Sequence, residues 1–192
     1  MDRPYQRFRL PAKLSGRALL SLVAKECVLR VAPPLSSERS WLDSADWRVF
    51  KAGLCVVVER DLRPRGSVEL AIWTPQEERL LGKVRVGRAP EFAPELPAGG
   101  LWAQVAQALG TRRLLVMASA QKRTVSAEVL DDQEKVVARL EVQRYLLPTA
   151  DGRLRVLRLA TVCPLRGYGD HAQRLCRLCE RAGLRAENES VL

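Results

Sequence analysis

Four short segments carry charge at every second position: Arg7 and Arg9, Lys83 and Arg85, Arg139 and Glu141, Arg153 and Arg155. Alternate residues of an extended chain share a face, so each segment presents a charged row. Such a row suits a multiply charged anion, because guanidinium and ammonium groups grip phosphate oxygens through charge-assisted hydrogen bonds. Two readings fit the pattern. The rows face water, as on the open side of an antiparallel sheet, or they line the inside of a barrel. Lys122, at the start of a further strand-like segment, joins this set of cations.

Carboxylates on extended segments are the next candidates: Glu59, Glu69, Glu128 and Glu141. Glu69 and Glu141 are the better placed to share the charged faces, but no motif gathers the four, and none is assigned a metal. Cys176-Arg177-Leu178-Cys179 is a C-x-x-C without the second pair that a four-ligand zinc site needs. Both cysteines fall on one helix face with Ala172, Leu175 and Ala182, which reads as small apolar packing. His171 is the only histidine, and no motif sets a serine or cysteine beside it to form a triad. It reads as an exposed helix residue. Arg166-Gly167-Tyr168 precedes a helix and reads as a turn, with phosphate capture at the helix start as the other reading. No residue is assigned a catalytic role.

The composition agrees with an anion-binding chain. The 192 residues carry a formal net charge of +10, and 26 of the 32 basic residues are arginine. That balance favours polyanions as partners, although a GC-rich coding sequence also enriches arginine. Aromatic residues make up 5% of the chain, without a stacking pair or a Cys/His finger of the kind that reads specific nucleic acid. The charged N-terminus MDRPYQRFRL lacks the apolar stretch of a secretory signal. No apolar run approaches the ~18–20 residues that span a bilayer. Five cysteines without even spacing argue against a disulfide framework. A cytoplasmic protein with reduced thiols, away from membranes, is expected.

These residues need elements to position them. Tyr5 to Leu10, Cys27 to Val31, Glu38 to Asp43, Ser67 to Trp73 and Arg79 to Gly87 read as strands. In "WLDSADWRVFKAGLCVVVERD", Ser44 or Asp46 is the expected cap of a short helix from Trp47 to Ala52. Gly53 closes that helix, and a valine-rich strand runs from Leu54 to Arg60. Further strands are expected at Arg113 to Met117, Lys122 to Leu130, Lys135 to Tyr145 and Leu154 to Val162. Helices are expected from Ser15 to Glu26, Leu101 to Leu109 and Asp170 to Ala182. Short turns link most neighbours. From these ten segments roughly eight strands are expected, and an antiparallel barrel or curved sheet with helices at its edges is the natural packing. A single domain over residues 1–192 is expected, ending in a polar tail, ENESVL.

The stretch LDSADWRVFKAGL resembles the YxDTPDxxLxxxGLxLR segment of CYTH domains, the triphosphate tunnel metalloenzymes. RTVSAEVLDDQEKVVARLEV resembles the late hairpin of CYTH-like domains that precede a CHAD domain, and CPLRGYGDHAQRLCRLCERAGL resembles their last strand and helix. The resemblance implies an α+β fold: an antiparallel eight-stranded β-barrel enclosing a tunnel, with flanking helices. Inward basic residues there hold a polyphosphate chain, and glutamates hold Mg²⁺ or Mn²⁺. The signature of active members, E-x-E-x-K, is absent. Tyr5 and Arg7 stand at the glutamate places, and only Arg9 keeps the basic one. Val57 and Glu59 stand near the places of R-x-R, and the last strand, Arg158 to Cys163, has no carboxylate. A guanidinium cannot ligate Mg²⁺.

The expected role is therefore non-catalytic binding of polyphosphate or a nucleotide triphosphate, with no cofactor. Arg7, Arg9, Lys83, Arg85, Lys122, Arg139 and Arg155 are the expected phosphate-facing cations. A triphosphatase using Mg²⁺ or Mn²⁺ is one alternative, and a structural or protein-interaction domain is another. The resemblance also implies a possible CHAD domain after this one in a longer protein.

Overall fold

The computed structural model describes residues 6–75, 79–149 and 151–187. Tyr5, residues 76–78 of the turn expected from the sequence at Thr74 to Glu78, and the residues beyond Glu187 lie outside the described residues. In chain order the elements begin with β1 (Gln6–Arg9), α1 (Gly16–Val23), β2 (Val28–Val31), β3 (Leu35–Asp43), α2 (Arg48–Lys51), β4 (Cys55–Asp61), β5 (Val68–Thr74) and β6 (Arg79–Val86). They continue with α3 (Gly100–Leu109), β7 (Leu115–Leu130), β8 (Val136–Pro148), β9 (Leu154–Pro164), α4 (Gly169–Arg181) and β10 (Arg185–Ala186). This is an α+β chain with one large sheet and four helices. The strand order is β10-β1-β9-β8-β7-β3-β4-β5-β6, with β2 on β7 off that path. Among the described residues no helix is long and apolar enough to cross a membrane.

Ten strands are present among the described residues, where about eight were expected. Pro33-Pro34 separates β2 from β3, and β10 is a two-residue strand that pairs with β1. The separate strands expected at 113–117 and 122–130 are one strand of 16 residues, β7. Ala118-Ser119-Ala120-Gln121 has little β-propensity of its own, and pairing with neighbouring strands overrides it.

Among the described residues the chain divides into two compact units, one within 6–35 and 122–187 and the other within 36–121. In the first unit, Phe8, Leu140, Val142, Ala160 and Val162 share one apolar core with Leu19 and Val23 of α1 and Leu175 and Cys179 of α4. Ser15 caps α1 by accepting from the Ala18 N–H at 3.1 Å. Gly16 lies against β8: a Cβ there would sit 2.6 Å from Val142 Cγ1. Cys176 and Cys179 are buried in this core, and burial pushes their thiols up to about 11 and about 12. The apolar reading of the C-x-x-C pair holds.

In the second unit, Val56, Val58, Leu70 and Ile72 pack with Val105 and Leu109 of α3. The turn before α2 is organised by Asp43. Its carboxylate accepts the Ser44 N–H at 2.7 Å, the Val49 N–H at 3.0 Å and the Phe50 N–H at 2.9 Å. Ser44 Oγ accepts the Arg48 N–H at 3.0 Å, so the expected serine cap is present beside an aspartate cap that was not expected. Asp46 instead pairs with Arg48, whose hydrogen bond holds the Asp46 carboxyl down at about 2. Gly53 closes the helix at φ +76°. The Leu54 N–H reaches Val49 O and the Gly53 N–H reaches Phe50 O, the paired bonds of a Schellman stop.

Candidate functional site

Each unit presents a polar sheet face opposite its apolar core. On the first unit, strand register places Arg7, Thr161 and Glu141 in one cross-strand row. Arg9, Leu159 and Gln143 form the next, and Arg139 stands opposite Cys163. A polar ladder runs along β8: Tyr145 Oη donates to Gln143 Oε1 at 3.2 Å, and Gln143 Nε2 donates to Glu141 Oε2 at 3.0 Å. Glu128 of β7 lies 3.5 Å from Arg30 Nη1 and 3.8 Å from Arg139 Nη2. Arg9 is ion-paired with Glu187, and the Glu187 N–H donates to Arg7 O at 2.9 Å, which ties Glu187 to β1.

On the second unit the register resolves a compact grid. Trp41, Val57, Ala71 and Lys83 form one row across β3 to β6. Arg39, Glu59, Glu69 and Arg85 form the next, and Cys55 stands opposite Trp73. Glu59 accepts from Ser37 Oγ at 2.9 Å and lies 3.5 Å from Arg39 Nε. Glu69 is ion-paired with Lys83, and Arg85 Nε is 3.9 Å away. The Arg39 guanidinium lies 6.0 Å from the Trp41 ring centre and 5.5 Å from that of Trp73. Burial pushes the Cys55 thiol up to about 11.

The expected cations are thus distributed unevenly. Lys83 and Arg85 stand together in the second unit. Arg7, Arg9 and Arg139 share the polar face of the first unit. Lys122 is half-buried within β7. Arg155 opposes Leu147 beside the turn that closes the β8–β9 hairpin, ~20 Å along the strand from Thr161 at ~3.4 Å per residue. Arg153 precedes β9, is exposed and pairs with Asp151, so the expected row of Arg153 with Arg155 does not form on the strand. His171 is exposed, with its ring against Tyr168, and Arg166-Gly167 forms a turn with Gly167 at φ +88°.

Arg39, Trp41 and Trp73 were not singled out from the sequence. A signal existed: Arg39, Trp41 and Asp43 alternate within one strand. Only cross-strand register shows that Arg39 lies beside Glu59 and that its head reaches a tryptophan on β5.

No family model matches the sequence, and no curated protein matches it either. Solved structures do match in fold. A candidate adenylyl cyclase from Hippeastrum, described as having a dominant triphosphatase activity, aligns with a TM-score of 0.63 at 12% identity over 98% of this chain and 91% of its own. A candidate adenylate cyclase from Vibrio parahaemolyticus aligns at 0.57 and 13% identity, over 97% of this chain and 93% of its own. Another from Bacillus halodurans aligns at 0.55 and 10% identity, over 98% and 91%. The chain is similar in fold to these solved structures, in keeping with the CYTH resemblance of its sequence.

That fold family implies Mg²⁺ or Mn²⁺, which take oxygen ligands. The donor set here does not fit such an ion. Glu59 is engaged by Ser37 and Arg39, Glu69 by Lys83, Glu128 by Arg30, and Glu141 by Gln143. Among the described residues, no three His, Cys, Asp or Glu side chains gather as a metal-holding group.

Proposed function

We propose that this chain binds a polyanion, inorganic polyphosphate or a nucleoside triphosphate, and does not hydrolyse it. One observation carries the reading: Arg7 on β1 stands directly opposite Thr161 on β9. In active members of the family the sequence resembles, these two strands supply metal-binding glutamates. Here their neighbouring places hold a guanidinium and a hydroxyl. Arginine and threonine can hold phosphate oxygens, but neither supplies the carboxylates that phosphoryl transfer needs to hold its metal. The proposed phosphate contacts are Arg7, Arg9, Lys83, Arg85, Lys122, Arg139 and Arg155. The proposal includes the closed barrel that the resemblance implies, with phosphates held along its inner side.

Calorimetric titration with tripolyphosphate and with longer polyphosphate, with and without EDTA, tests the reading. Saturable binding is expected, equal in both conditions and weakening steeply with salt, because the contacts are ionic. Release of phosphate from tripolyphosphate that depends on Mg²⁺ or Mn²⁺ overturns the non-catalytic reading. Absence of binding at low salt overturns the polyanion reading and leaves a structural or interaction domain.

A further inference from the structure

One edge of β2 is open. β2 pairs with β7 from Val28↔Leu130 to Val31↔Ala127, and no other strand pairs with it among the described residues. The Ala32 N–H donates to Ser126 O at 2.8 Å, which makes these two a hydrogen-bonded pair. Antiparallel pairing alternates, so Arg30 and Val28 also turn their backbone groups toward β7. Leu29 and Val31 turn theirs the other way, toward the open edge. Proteins commonly cover such an edge or set charge along it. Here Val28 and Val31 stand on it 61% and 50% exposed, and Arg30 is drawn aside to Glu128 of β7.

A groove of about 820 Å³ lies beside this edge, within the first unit. Cys27, Val28 and Leu29 all line it. Successive strand residues point to opposite faces, so a groove that touches all three runs along the edge of the strand. Leu20 of α1 and Val129 of β7 continue its apolar wall. Its charges are unevenly engaged. Glu26 is held by Arg181 at 2.8 Å, and Asp131 accepts the Gln133 and Lys135 N–H groups. Arg17, Lys25 and Arg174 line the groove exposed, with no ion pair among the described residues. Asp132 is the remaining carboxylate on its wall, so the unengaged charge is positive. We propose that this groove docks an extended acidic segment of a partner protein, with apolar side chains at alternate positions, which adds to β2 as a strand. Such a segment meets the Leu29 and Val31 backbone groups, covers Val28 and Val31, and brings carboxylates to an excess of cations. Arg17, Lys25 and Arg174 are not among the proposed phosphate contacts, so this docking is a property separate from the binding of polyphosphate or nucleotide.

The test uses labelled peptides with valine at alternate positions and glutamate, lysine or serine at the others, followed by fluorescence polarisation. The glutamate peptide is expected to bind about tenfold tighter than the serine peptide, and the lysine peptide more weakly than both. Arg17→Glu with Arg174→Glu is expected to remove that preference. Val31→Pro leaves the β2–β7 pairing intact, because the Val31 N–H faces the open edge. It is expected to weaken the glutamate peptide about fivefold through one lost hydrogen bond. In the native protein, amide exchange at Leu29 and Val31 should slow when the glutamate peptide is bound. That readout carries the test if the proline variant does not fold. Equal binding of the glutamate and serine peptides, or a preference that survives the double charge reversal, overturns the acidic partner. Unchanged exchange at Leu29 and Val31 overturns the strand addition. If no peptide binds, the docking site falls while the polyanion reading stands.

Discussion

The two polar faces differ in how their cations are held. On the first unit the basic residues are spread along strands and engaged separately: Arg9 by Glu187, Arg139 near Glu128, and Arg155 near the end of a hairpin. On the second unit they are gathered around two facing carboxylates, Glu59 and Glu69, with two tryptophans beside them. Both faces come from the same kind of sequence, a strand with charge at alternate positions. Alternation sets which side of a sheet a residue occupies. Whether cations meet depends on which strands are neighbours and in what register.

The largest effects come from removing what orients each face. Phe8 is fully buried and sets the side to which Arg7 and Arg9 point. Phe8→Ala is expected to cost about 4 kcal/mol in urea unfolding. Asp43 does the corresponding work in the second unit, accepting three backbone N–H groups while buried. Asp43→Ala leaves those donors unpaired and is expected to cost about 3 kcal/mol. A loss below about 1 kcal/mol in either case would show that the face does not depend on that residue.

Ligand binding sharpens the contrast. Lys83→Ala with Arg85→Ala is expected to weaken tripolyphosphate binding about tenfold, because two adjacent cations leave one grid. Glu69→Gln is expected to strengthen it about threefold by freeing both cations from their carboxylate. Arg155→Ala is expected to weaken it about twofold, a smaller loss than that of the adjacent pair, because Arg155 stands alone beside the β8–β9 turn. If Arg155→Ala proves the most damaging, the first unit and not the second holds the anion.

The smallest effect is alkaline. Burial raises the thiols of Cys55 and Cys176 to about 11 and that of Cys179 to about 12, from an ordinary 9.0. Unfolded thiols therefore lose their protons first. The stability they contribute is complete below pH 9 and is lost progressively as pH rises toward 12. Thermal unfolding followed between pH 8 and 12 should show this fall, and Cys179→Ala should make it shallower.

Much of the fold was legible because it is written in local chemistry. Gly53 takes positive φ where the end of the short helix was expected. The hairpin around Asp131 forms as expected, with its carboxylate accepting the Gln133 and Lys135 N–H groups at 2.9 Å each. The continuity of β7 was not legible, because Ala118 to Gln121 extends only when neighbouring strands pair with it. Nor was the role of Asp43, whose backbone N–H donors lie six and seven residues ahead and converge only once the turn is made.

Sequence alone determined the net charge, the alternation that sorts each strand into an apolar and a polar side, the glycine stop at Gly53, and the lack of glutamates where active members of the family it resembles place them. These are properties of single residues and near neighbours, and folding does not change them. Tertiary structure decided which polar sides matter. Arg39 and Trp73 are 34 positions apart, and Arg7 and Thr161 are 154 apart. No local rule joins them; hydrogen-bonded register between strands does, and with it the tryptophan–arginine cluster comes into being.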